Sequence, residues 1–315
     1  MRKLALMLIM SLFCVSTVLF AEGSQEKKQT LVFGDLTWNS VQVHNRIAAF
    51  IIENGLGNYK AEFTSADTAI TINGIMQGDI NIDMESWHSN FRDLYDRGVA
   101  SGQLVDLGKN MPDAPQGWWI PRYLVEGENA PAPGLKSVDD LPKYWELFKD
   151  PEDSSKGLIY LGITGWLSTD VSDEIFESHN LGTHFNKGIP GSSAALAATM
   201  VGNFEKRQGW IGYYWAPTAV LGKLDMVRLK GSEFEPADVN ILVDKDLPER
   251  APDVVAFLKK YNTTVADNNE FLAQMESHEW DAEQTALWFL KNKESVWTDW
   301  VTPEVAAKVK SALPE

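Results

Sequence analysis

Four tryptophans each follow a short apolar run and precede a segment that reads as a helix start: Trp38 after LVFGDLT, Trp87 after DINIDMES, Trp166 after GLIYLGITG and Trp215 after WIGYY. Ligands of open α/β sheets bind outside the carboxyl ends of parallel strands, so four indoles at such positions are candidates to line one site. Ring faces attract a cation that has no N–H to donate, above all a quaternary ammonium group. One desolvated contact of this kind is worth ~2 kcal/mol, and three or four supply much of the ~8 kcal/mol that micromolar binding requires.

A ligand that also carries a carboxylate needs donors at the other end of the pocket, and backbone N–H groups at a helix start supply them. Leu167, Ser168 and Thr169 follow Trp166, and Asn39 and Ser40 follow Trp38, in the right places for this. Capping the helix is the other duty open to these side chains. The chain holds 12 tryptophans. Trp145, Trp210, Trp280, Trp288, Trp297 and Trp300 are assigned to packing, because indoles are highly buried in any fold. Trp118 and Trp119 lie at a crossing between lobes, and Trp118 is carried as an extra aromatic candidate for the cleft.

Other chemistries fit the sequence less well. GxSxG, P-loop and GxGxxG motifs are missing. His179 and His184 are five apart with Gly182 between them, and with His88 they match no common zinc spacing, so no metal and no cofactor are expected. A sugar-binding or sugar-active protein is a competing reading, since indoles also stack on pyranose rings. A glycosidase would need two carboxylates across the scissile bond, drawn from Asp83, Glu85, Asp170 or Asp173.

The elements that must position the tryptophans alternate strand and helix. A strand at Leu31–Phe33 leads to a helix from about Val41, with Ser40 as cap, Gly55 as stop and an apolar stripe of Val43, Ile47, Phe50 and Ile51. A strand near Ala61–Phe63, a helix at Thr68–Gln77 capped by Asp67, and a strand at Ile80–Met84 follow. This order predicts a mostly parallel sheet. QGWWIPRYLVEG reads as a strand leaving that lobe, and APAPG after it opens a second one. There, Ser137–Glu152 is predicted as a capped helix, GLIYLGI as a strand, Asp170–His179 and Gly191–Lys206 as helices, and IGYYW as the closing strand. LDMVRL and VNILV are read as return strands, with helices from Pro252 to Leu313. The predicted division is lobe I at 30–115 and 222–315, with lobe II at 116–221. A lobe interrupted by a second, with two crossings, is the anatomy of a hinged binding protein.

The chain opens with Arg2 and Lys3 ahead of an apolar run from Leu4 to Phe20, then small and polar residues. This predicts a secretory signal peptide at 1–21 and a linker at 22–29, hence an exported, periplasmic protein. Cys14 is the single cysteine, and Phe13 ahead of it departs from the small residue that lipidation requires, so no lipid anchor is expected. Losing Arg2 and Lys3 from 28 basic residues leaves 26 against 44 acidic ones, a formal charge of −18. That charge argues against nucleic acid and anionic lipid as partners. About 294 residues remain, enough for two lobes.

At these residues the chain resembles the substrate-binding proteins of ABC-type uptake systems for glycine betaine, proline betaine and choline. The likeness runs through TWNSVQVHNRIAAFIIENGLG, MQGDINIDMESW, DLPKYWELFKDPE leading to GITGW, and YYWAPT, and covers essentially the whole mature chain. It implies an α/β, two-lobed periplasmic binding protein of the type II kind, with the ligand in the cleft. It also implies a monomer without enzymatic activity that delivers its ligand to a membrane permease with its ATPase. Trp87, Trp166 and Trp215 look like the three indoles that box a trimethylammonium group, and Trp38 like the aromatic of choline binders. Those choline binders carry an aspartate where Ser40 stands here, and they tend to lack the indole at Trp166. Both differences point to a betaine ahead of choline, with choline or carnitine as the alternative. Thr218 stands where the family often has His or Tyr, which leaves the carboxylate contacts open.

Overall fold

The polar linker gives way at Gln29 to the first of two five-stranded sheets. The structure, a computed structural model, describes residues 28–314 except 233 and 235–236. The expected signal peptide, Cys14 and most of the linker lie outside the described residues. The strands are β1 (Gln29–Asp35), β2 (Tyr59–Ser65), β3 (Ile82–Ser86), β4 (Leu104–Ala114), β5 (Gln116–Pro121), β6 (Gly157–Tyr160), β7 (Phe185–Gly188), β8 (Gly212–Trp215), β9 (Met226–Arg228) and β10 (Ala237–Asp244). The helices that bear on the site are α1 (Asn39–Ile51), α2 (Thr68–Gln77), α3 (Arg92–Ala100), α4 (Leu167–Ser178), α5 (Ser193–Glu205) and α6 (Ala219–Lys223). Further helices between Leu247 and Ala312 pack on the first lobe. Among the described residues no helix is long and apolar enough to cross a membrane.

The first sheet runs in the order β2-β1-β3-β10-β4 and the second in the order β7-β6-β8-β5-β9. In the first, β1 is parallel to β2 and β3, while β10 is antiparallel to both neighbours. In the second, β6 is parallel to β7 and β8, while β5 is antiparallel to β8 and β9. β1, β3, β6 and β8, the strands that the four tryptophans end or follow, therefore belong to the parallel part of each sheet, as α/β alternation requires. Leu31, Phe33, Val43, Ile47, Ile82 and Val243 build the first core, joined by Trp297 and Trp300. Trp118, Ile159, Phe176, Leu196 and Trp210 build the second.

Several expectations are corrected. β9 pairs with β5, Val227 opposite Ile120, so the chain returns to the first sheet after Arg228 and not at 222. A strand of three residues, Met226–Arg228, does not announce which sheet it joins. Ser137–Glu152 is not one helix: the capping box of Ser137 and Asp140 forms, but it opens two 3-10 turns, Val138–Lys143 and Trp145–Phe148. Pro142 lacks the N–H and disfavours α conformation at Leu141, which breaks the α register. Gly55 is not the stop of α1. A Cβ there would meet Val305 and Val309 at 2.6 and 2.9 Å, so Gly55 admits a packed helix, and the chain turns at Gly57 with φ +91°. β4, α3 and β7 had no clear signal. Gly108 and Pro112 interrupt β4, which tolerates them because it is an edge strand.

Candidate functional site

Each of the four tryptophans ends a parallel strand or lies in the segment that leaves its carboxyl end. Trp38 lies just beyond β1 and is the N-cap of α1, Trp87 follows the last residue of β3, Trp166 is the N-cap of α4, and Trp215 ends β8. Two come from each lobe, and all four line one pocket that encloses about 360 Å³ of empty space including its mouth. They are 8, 7, 5 and 6% exposed in chain order, low values for side chains that border a cavity. Trp166 meets Trp38 and Trp215 edge to face, with centroids 5.9 and 5.0 Å apart and planes at 87 and 83°. Perpendicular rings form the corner of a box, each pair meeting by one edge and one face, and Tyr214 stacks on Trp215 with centroids 4.8 Å apart.

Tyr213 completes that corner. Its ring lies 6.2 Å from both Trp166 and Trp215, and its hydroxyl donates to Gln116 Oε1 at 2.8 Å. Gln116 and Asn90 exchange amide hydrogen bonds of 2.8 and 3.1 Å, so the first residue of β5 is tied to the first lobe. Burial raises the Tyr213 phenol well above its ordinary value and keeps it neutral. Its identity was not foreseen, although it stands two residues before Trp215 and therefore on the same face of the strand.

Glu85 is the other residue that sequence reasoning undervalued. Its Oε1 accepts from Trp38 Nε1 at 2.8 Å, from Trp87 Nε1 at 3.1 Å and from Ser40 Oγ at 3.0 Å. The side chain is 1% exposed. Burial pushes its carboxyl up to about 7, against the pull of the three donors, which favour the charged form. Asp83, on the same strand, is likewise pushed up to about 7 by burial and accepts from the Glu85 N–H. The signal was present: residues two apart share a strand face, which aligns Asp83, Glu85 and Trp87.

The polar candidates divide. Leu167 and Ser168 line the pocket, at the start of a helix whose N-cap, Trp166, has no side-chain acceptor to satisfy the first turn. Thr169 does not: its hydroxyl donates to the Ile163 carbonyl at 2.7 Å. Asn39 and Ser40 line a separate, larger groove on the far side of Trp38 and Trp215. Trp118 is in the second core, fully buried, with its indole N–H on Ser172 Oγ at 3.1 Å, so it is no part of the cleft. Thr218 caps α6 by accepting from the Leu221 N–H. Among the described residues no group of His, Cys, Asp and Glu is arranged to hold a metal. His179 pairs with Asp139, and His88 packs against Tyr95 with the rings tilted by 31°.

The lobes are closed on each other. Trp166 Nε1 donates to Thr37 Oγ1 at 3.2 Å and Ser193 Oγ to the Thr37 carbonyl at 2.8 Å. Gly165, with φ +92°, approaches Asp67 so closely that a Cβ would collide with the carboxylate. Lys223 of α6 pairs with Glu276 of the helix Val265–Ser277.

Two α/β lobes joined by two crossings and shut over an aromatic pocket define a class: the two-lobed solute receptors of membrane importers. The chain belongs to the family described as the substrate binding domain of ABC-type glycine betaine transport systems, whose pattern it matches over residues 29–292. It is thus a solute-binding component of an ABC importer, of a family that works outside the cytoplasm. Its fold is similar to that of the glycine betaine, L-proline-binding protein of Borrelia burgdorferi, with 17% identity, a TM-score of 0.77, and 89% of this chain and 100% of that one covered. An ABC-transporter choline-binding protein in complex with choline gives 17% identity and a TM-score of 0.78, covering 90% and 98%. The lactococcal OpuAC protein, closed on glycine betaine, gives 18% and 0.73, covering 87% and 100%.

Proposed function

We propose that the pocket binds the quaternary ammonium group of a betaine in a cage of Trp38, Trp87, Trp166 and Trp215, and that the closed protein hands this ligand to a membrane permease. The observation that carries the reading is the convergence of indoles from both lobes on one cavity. Their faces suit a cation that offers no hydrogen bond. The open first turn of α4, at Leu167 and Ser168, suits a carboxylate at the other end. A trimethylammonium and a carboxylate on one small molecule describe a betaine. The related proteins named for glycine betaine and for choline support the same ligand class.

The protein acts as a binder and does no chemistry. It works as a monomer in the periplasm, exported by its N-terminal segment, without cofactor or metal. The sugar reading loses support because, among the described residues, no carboxylate lines the pocket. Asp173 pairs with Lys187 on the surface. Choline is the alternative ligand, favoured by one observation, the buried carboxylate of Glu85 behind two of the rings.

Calorimetric titration of the mature protein, refolded free of carried-over ligand, tests this reading with glycine betaine, proline betaine, carnitine, choline and maltose. Micromolar binding of at least one amine with maltose silent is the expected result. Silence from every amine would reject the cage.

A further inference from the structure

Glu85 stands behind the cage, outside its lining. Three donors converge on Oε1, while Oε2 is buried and has no hydrogen-bond partner among the described residues. An amide oxygen could accept the same bonds, but its NH2 would fall at the Oε2 position, where no acceptor lies among the described residues. The carboxylate also brings a negative charge behind two of the rings, which an amide does not. Hydrogen bonds to a charged acceptor polarise the donor, and an indole whose N–H points at a carboxylate presents a more electron-rich face. The charge also acts directly through an interior of low dielectric.

Both effects discriminate between ligands. A cation gains from the negative field, whereas in a zwitterion the gain at the ammonium is offset by repulsion of the attached carboxylate. The open start of α4 acts in the opposite sense, favouring the carboxylate of a zwitterion. We propose that Glu85 is a specificity-determining positioning residue, which holds Trp38 and Trp87 by their N–H groups and supplies the field that lets the cage take a choline-type ligand of net positive charge beside a zwitterionic betaine. The proposal rests on the quaternary ammonium reading of the pocket.

Glu85→Gln keeps the shape and the acceptor oxygen and removes the charge. Titration of wild type and variant with choline and with glycine betaine at about pH 8.5, above the value of about 7 to which burial raises the Glu85 carboxyl, gives two affinities for each protein. The expected result is choline weakened by about tenfold or more and glycine betaine by less than about threefold, so that their ratio changes. If the amide is not tolerated, Glu85→Leu reports the same ratio. A merely structural role would weaken both ligands alike. Equal change in both, or in neither, overturns the inference and leaves the cage standing, whereas wild-type protein that binds neither ligand overturns both.

Discussion

Thr37 and Trp166 face each other across the cleft, one from each lobe, and the indole N–H of Trp166 reaches the threonine hydroxyl at 3.2 Å. The same threonine accepts Ser193 Oγ on its carbonyl at 2.8 Å. A residue of the pocket wall is thus also a contact between the lobes.

Thr37→Val keeps the shape and removes the acceptor. One hydrogen bond is worth about 1 kcal/mol net, so ligand affinity should fall about fivefold with no comparable loss in unfolding free energy. Titration beside denaturant unfolding checks this, and a variant that binds as tightly as wild type would show that the contact does not hold the lobes.

Trp87→Ala, Trp166→Ala and Trp215→Ala each remove one ring face. Each is expected to weaken binding by ~2 kcal/mol, about thirtyfold, with the protein still folded. Unchanged affinity in all three would remove the aromatic cage from the mechanism.

Trp118→Phe is the counterpart within the core. It loses the bond to Ser172 and leaves a small void, so unfolding free energy should drop by roughly 1–3 kcal/mol. Ligand affinity should stay within about twofold of wild type. A large loss of affinity at constant stability would place Trp118 in the site after all.

Glu85→Gln has a pH signature in stability. Burial raises the Glu85 carboxyl from 4.5 to about 7 on folding. Below 4.5 the group is protonated in both states and costs nothing. As pH rises through the window from 4.5 to about 7 the unfolded chain ionises first, so folding loses stability, reaching about 3 kcal/mol above pH 7. Relative to wild type, the amide variant should therefore gain about 3 kcal/mol between pH 4 and pH 8 in denaturant unfolding. Asp83, raised to about 7, and His44, lowered to about 4 by burial, remain in both proteins, and the Tyr261 phenol stays neutral throughout. A pH-independent difference between the two proteins would contradict the buried charge.

That the four tryptophans line one pocket was legible because each follows an apolar run, and the crevice of an open α/β sheet lies outside its strand ends. The α/β order was legible for the same reason. Long-range pairing was not. Nothing in DMVR says that it joins β5, and β4 hides behind Gly108 and Pro112 because an edge strand need not alternate cleanly. Glu85 was visible as a carboxylate in an apolar strand but could not be assigned. Its role appears only when β1 and β3 lie side by side and bring Trp38, 47 residues away, onto its oxygen. Trp118 failed as a candidate for a similar reason, since the two faces of β5 are equivalent until Ser172 is packed against one of them.

Because a single oxygen of Glu85 holds both Trp38 and Trp87, those two rings cannot turn independently of each other. The first lobe presents them as one joined half of the pocket wall, and Trp166 and Trp215 of the second lobe supply the other half. Loss of the Glu85 carboxyl would therefore release both rings that the first lobe gives to the pocket, whereas Trp166 and Trp215 are held by contacts of their own.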